Sequence, residues 1–231
     1  MTPWGDPAQQ DAPVRQPLPL VAGASVALLG LATGAGLLVF FLTGRSPVLG
    51  VVATVALAGS ATTVVRRRLS SPARQAVRRR AWAGVRAGLL ATVVYDVTRL
   101  LVVQVTAVPV RPFEAVPLFG QVLVGASSGS VLTDALGVAY HVANGIGFGF
   151  AYALVAGSRG LFAGIAWALV LEALLLAFYP GWLDVRAGRE FVSVSMLGHL
   201  AYGAALGWSA KVLLEGGGRG PRPDGGERGG T

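Results

Sequence analysis

Four ionisable side chains stand inside stretches that are otherwise almost wholly apolar: Asp96, His141, Glu172 and His199. The two histidines are the only ones in the chain. Each ionisable residue is followed or preceded, at intervals of four, by small residues. Gly84, Gly88, Thr92 and Asp96 form one such series, and Gly160, Gly164, Ala168 and Glu172 a second. His141, Gly145 and Gly149 form a third, and Ser195, His199, Gly203 and Gly207 a fourth. An interval of four keeps residues on one helix face, so each series is a stripe. Ionisable groups within a lipid-spanning helix are costly unless they face inward and find partners, so all four should point into one helical bundle.

Three kinds of chemistry suit that set. Two neutral imidazoles and two carboxylates (His141, His199, Asp96, Glu172) are ligands for a divalent metal such as zinc, iron or manganese. The same groups, with Tyr95, Thr92, Asn144, Ser195 and Tyr202 nearby, can pass protons or hold a small solute. Two histidines with glycines after them can also serve as axial ligands of a haem. No Cys-x-x-Cys-His, His-Glu-x-x-His or Glu-x-x-His signature accompanies them, and the chain has no cysteine. The plain structural alternative is a self-satisfied network, in which Asp96 pairs with Arg99 one turn away and each histidine hydrogen-bonds an acid.

The elements that must position these groups are membrane helices. The chain has 231 residues, of which 53% are hydrophobic and 13% charged, where a soluble domain carries roughly a quarter charged residues. Apolar stretches span Leu20–Thr43, Val48–Val65, Ala81 to about Val103, Val131–Val155, Leu161–Tyr179 and Phe191–Leu213. Each is long enough to cross a hydrocarbon core of about 30 Å. The expectation is an all-α, polytopic protein with six transmembrane helices. Residues 1–19 and 214–231 read as disordered cytoplasmic tails, residues 20–65 as an apolar two-helix appendage, and 66–80 as a basic cytoplasmic loop. Residues 104–130 read as an outer loop with an interfacial piece near Val116–Val124.

The net charge of +8 is a matter of topology rather than of nucleic acid. Arg66, Arg67, Arg68, Arg74, Arg78, Arg79 and Arg80 lie together between two spans, and placing them inside leaves only Arg45, Arg111, Arg186 and Arg189 outside. The positive-inside rule then sets both termini in the cytoplasm, and the basic segment against anionic lipid headgroups.

Residues 81–155 and 160–213 read as two copies of one helical hairpin. Gly84-Val-Arg-Ala-Gly88 matches Gly160-Leu-Phe-Ala-Gly164, with an acid eight residues on in each; His141 and His199 both begin His-x-x-x-Gly-x-x-x-Gly. The glycine stripes let helix backbones approach closely in lipid. The last four helices are thus expected to form a pseudo-twofold bundle. Its four ionisable groups lie roughly 10–15 Å below the outer ends of their helices. A homodimer would enlarge so small a bundle if it transports.

The stretch from His141 to Gly207 resembles the YagU-like inner-membrane proteins and related small bacterial membrane families. The likeness is carried by His141, Gly149-Phe-Ala-Tyr152, Gly160-x-x-Ala-Gly164, Pro180 and Gly198-His199-Leu-Ala-Tyr202-Gly203, and more loosely by Tyr95-Asp96-x-x-Arg99. It implies a bacterial inner-membrane location and brings no activity with it.

Overall fold

A computed structural model describes residues 20–124, 131–178 and 188–216. The described residues form eight helices: α1 (Leu20–Gly30), α2 (Ala32–Thr43), α3 (Pro47–Arg68), α4 (Ser71–Thr106), α5 (Ala115–Val124), α6 (Val131–Val155), α7 (Leu161–Phe178) and α8 (Gly188–Gly216). Both expected tails lie outside the described residues, apart from Leu20 onward and the last turn of α8. Four helices, α3, α4, α6 and α8, are long and apolar enough to cross a membrane. The bent pair α1–α2 makes a fifth if it counts as one span.

Local sequence explains the breaks. Gly44 ends α2 in the left-handed region at φ 67°, which glycine adopts without steric cost. Ser46 then caps α3, its hydroxyl accepting from the Val48 amide at 3.3 Å, with Pro47 in the first turn. Ser70 repeats the device for α4, accepting from the Ala73 amide at 3.4 Å with Pro72 just inside.

The basic segment 66–80 is therefore not a loop. Its arginines occupy the last turn of α3 and the first three turns of α4, separated only by Leu69 and Ser70. A 36-residue α4 is about 54 Å long, more than a bilayer needs, so its basic start extends beyond the apolar layer. Arg66, Arg74, Arg78 and Arg79, with Val26, Val65 and Trp82, line a groove between α1, α3 and α4.

The first apolar stretch is not one straight helix either. It bends by 65° at Leu31, whose amide reaches back only to the Leu28 carbonyl (3.2 Å). Gly30 lies against the Gly147 carbonyl and the Phe150 ring of α6, and a glycine close to a neighbouring backbone is a usual place for such a kink. Nor are α1 and α2 an appendage. The Tyr140 hydroxyl of α6 donates to the Thr33 carbonyl of α2 at 2.5 Å, and Val26 and Ala27 are buried against Ala151 and Leu154. The expected outer loop likewise contains a packed helix: Val116 and Phe119 of α5 are buried, and Gly120 and Gly137 bring its backbone onto α6.

The glycine stripes do what small residues do in lipid. A methyl built on Gly84 would lie 2.7 Å from the Gly149 carbonyl oxygen, and one on Gly88 2.8 Å from that of Gly145. Across α7 and α8, one on Gly203 would lie 2.6 Å from the Gly164 carbonyl oxygen. Helix α4 also packs directly on α8. Its counterpart under a strict twofold, α6 on α7, meets instead through the Tyr152 and Trp167 rings at 6.1 Å. The α4–α8 and α6–α7 contacts are thus not related by a strict twofold. Large apolar side chains lie on the surface while a few polar ones are buried within an otherwise apolar interior: Val93 and Val97 are 52% and 48% exposed, and Arg99 and Glu172 are 4% and 1% exposed.

Candidate functional site

The ionisable residues come together two by two. Nε2 of His141 lies 2.9 Å from Oδ1 of Asp96, joining α6 to α4, and Nδ1 of His199 lies 3.0 Å from Oε2 of Glu172, joining α8 to α7. The second pair is the deeper, with side chains 12% and 2% exposed against 19% and 26% for the first. The pairs also use different ring nitrogens. Nδ1 of His199 faces the Ser195 carbonyl as well, at 3.0 Å. A nitrogen between two oxygen acceptors carries the proton, which leaves Nε2 as the basic site in the neutral ring.

Tyr95 stands between the pairs. Its ring is 5.0 Å from that of His199, edge to face, and 5.8 Å from that of His141. Tyr202 closes the chamber beneath, its hydroxyl donating to the Gly145 carbonyl at 2.7 Å. Thr92 packs over Gly145 and donates to the Gly88 carbonyl at 2.8 Å. Asn144 faces the same cavity with a buried Oδ1 that has no hydrogen-bond partner.

Three expectations fail on this geometry. Asp96 does not pair with Arg99: its partner is His141, while Nη1 of Arg99 donates to the Tyr95 hydroxyl at 3.2 Å. The four supposed metal ligands do not converge. Among the described residues no group of three or more His, Asp or Glu side chains is arranged to hold a metal ion. Each imidazole is spent on a carboxylate, with the Tyr95 ring between them. That ring occupies the space a porphyrin would need between His141 and His199, so the residues do not fit a bis-histidine haem.

The cavity that these residues line has a volume of about 90 Å³, room for several waters or one small solute. Helices α4, α6, α7 and α8 supply its polar wall. Gly34 and Leu37 of α2, and Ala115, Val116 and Phe119 of α5, close the remainder. The sequence reading missed these two apolar contributors. Gly34 sits among glycines in an apolar run, and α5 is too short to announce itself as a span, so neither carried a signal of its own. The reading also missed that Arg99 is a buried cation with two unpartnered nitrogens, Nε and Nη2.

No protein-family model, curated protein or solved structure matches the chain. What the site does has to be argued from its own geometry.

Proposed function

We propose that this chain is a six-span protein of the bacterial inner membrane that takes up and relays protons through a chamber between its last four helices. The observation that carries the reading is the pair of His–carboxylate contacts, His141–Asp96 and His199–Glu172, of which His141, His199 and Glu172 line one small cavity. Histidine is the side chain whose unperturbed titration falls nearest neutrality. A carboxylate on one ring nitrogen fixes the orientation of the imidazole.

The span count takes the bent α1–α2 pair and the 18-residue α7, about 27 Å long, as one crossing each. The apolar exterior supports membrane insertion, and the arginines at the start of α4 support a cytoplasmic side for that end. The two glycine-stripe interfaces, each with an acid–histidine pair, support descent from a duplicated hairpin. The basic groove between α1, α3 and α4 suits anionic lipid headgroups at the cytoplasmic face.

The test is proton flux into liposomes carrying the protein, followed with a trapped pH-sensitive dye under an imposed potential. Flux should fall at least about tenfold in a His141→Asn/His199→Asn double variant that still elutes as the folded protein. Equal flux in that variant, or wild-type flux no greater than that of empty liposomes, would sink the relay. A purely structural network makes the opposite forecast, lost stability with no flux to lose.

A further inference from the structure

Among the described residues Arg99 has no counter-ion. It is 4% exposed, lines the cavity, and among the described residues no carboxylate lies within 4 Å of it. Its guanidinium rests on the Tyr95 and Phe191 rings, 5.4 and 5.6 Å from their centroids. Nη1 is used on the Tyr95 hydroxyl. The free groups are Nε and Nη2, the two N–H donors along one edge of the planar fork. That edge matches the two oxygens of a carboxylate. The position is also built for: a methyl on Gly198 of α8 would lie 3.0 Å from Cγ of Arg99 and 2.8 Å from the Tyr95 ring. Only the missing side chain there lets the arginine lie against α8.

The geometry points to a small monocarboxylate as the ligand of this chamber, held bidentately by Nε and Nη2 of Arg99 and coupled to protonation of the two histidines. The coupling rests on the proton-uptake reading above; the anion site itself does not. The charged and titratable groups lining the cavity with Arg99 are Tyr95 on its own helix, His141 on α6, Glu172 on α7, and His199 and Tyr202 on α8, with Asp96 paired to His141 outside the lining. Helices α2 and α5 bring only apolar residues and glycine to the cavity. With both histidines neutral, two carboxylates outnumber the single guanidinium, and an entering anion is repelled. With both protonated, each His–carboxylate pair is neutral in sum and Arg99 is left as the one uncompensated charge. An anion then completes the site. By linkage, protons favour the anion and the anion favours protons to the same extent. The cavity of about 90 Å³ favours a small anion over a bulky one, and its apolar wall suits a short alkyl tail.

The experiment is isothermal titration of the full chain in nanodiscs with acetate and formate, below and above the usual histidine range of about 6.5. Chloride and nitrate serve as inorganic arms. Acetate and formate should saturate one site at the lower pH, bind with net proton uptake within the histidine range, and bind at least about tenfold more weakly at the higher pH. Arg99→Lys keeps the charge but loses the fork, and should weaken both carboxylates at least about tenfold. Arg99→Gln should abolish their binding while both histidines still titrate by ¹⁵N NMR. If that variant does not fold, the wild-type and Arg99→Lys titrations decide alone. No saturable acetate or formate binding in the wild type overturns the proposal. So does undiminished binding in Arg99→Lys, or chloride binding as tightly as acetate. Carboxylate binding without proton flux would leave this site standing and remove the relay; flux without carboxylate binding would do the reverse.

Discussion

Placing a methyl group on Gly145 tests the construction of the chamber at its most crowded point. In a Gly145→Ala variant the new Cβ falls on the Thr92 hydroxyl and lies 3.0 Å from Cβ and 3.2 Å from Cγ2 of that residue. Both helices are held at this spacing by neighbouring glycines, so the strain cannot be relieved by a rotamer change alone. Overpacking of this kind costs about 1–3 kcal/mol. The same residue's carbonyl accepts the Tyr202 hydroxyl at 2.7 Å, and separating α6 from its neighbours would forfeit a further 1 kcal/mol or so. The expected loss is about 2–4 kcal/mol, read from equilibrium unfolding in detergent by tryptophan fluorescence. Thr92→Ala removes the hydroxyl and Cγ2 from the path, so the double variant Gly145→Ala/Thr92→Ala should recover roughly 1–2 kcal/mol of that loss. Strictly additive losses in the two single variants would refute the argument, because they would mean that Thr92 and Gly145 are not in contact.

Three other outcomes follow from the same coordinates. Glu172→Ala should destabilise the protein by at least about 1 kcal/mol more than Asp96→Ala, since the Glu172 side chain is 2% exposed and that of Asp96 26%, and loss of a buried ionic partner costs more than loss of a part-solvated one; thermal unfolding of the two variants side by side checks it. Tyr140→Phe deletes the bond to the Thr33 carbonyl and should cost about 1 kcal/mol, with amide exchange accelerated in α2 and left alone in α7. Arg74→Gln/Arg78→Gln should lower the number of anionic phospholipids retained on the purified protein in native mass spectrometry, and undiminished retention would count against the basic groove as a headgroup site.

The legibility of this protein in its sequence was uneven for a physical reason. Long apolar runs and clustered arginines are properties of a segment alone, so the helical class and the positions of α3, α4, α6 and α8 could be read directly. The glycine intervals were equally plain, because a spacing of four defines a helix face whatever the face meets. Acid and histidine could be expected to meet, since neither can be left in lipid alone. Which acid meets which histidine, and whether all four meet at once, depends on helix rotations of a few tens of degrees that no periodicity encodes. Arg99 illustrates the limit. One turn from Asp96 it has an obvious local partner, and only the direct packing of α4 on α8 at Gly198 turns it towards Tyr95 and Phe191 instead.

The bend at Leu31 and the helical start of α4 were hidden for different reasons. Gly30 is one glycine among several in α1 and α2, and its effect appears only where Gly147 of α6 approaches it. The arginines between Arg66 and Arg80 are good helix formers in a segment read as a loop because it joins two spans, but Ser70 and Pro72 restart the helix within two residues. The sequence by itself determined that polar groups would be buried in an apolar helical bundle, because the cost of exposing them to lipid is local to each residue. The tertiary structure alone decided that they would stand as two separate pairs beside an unpaired arginine, because pairing is a property of surfaces brought together from α4, α6, α7 and α8.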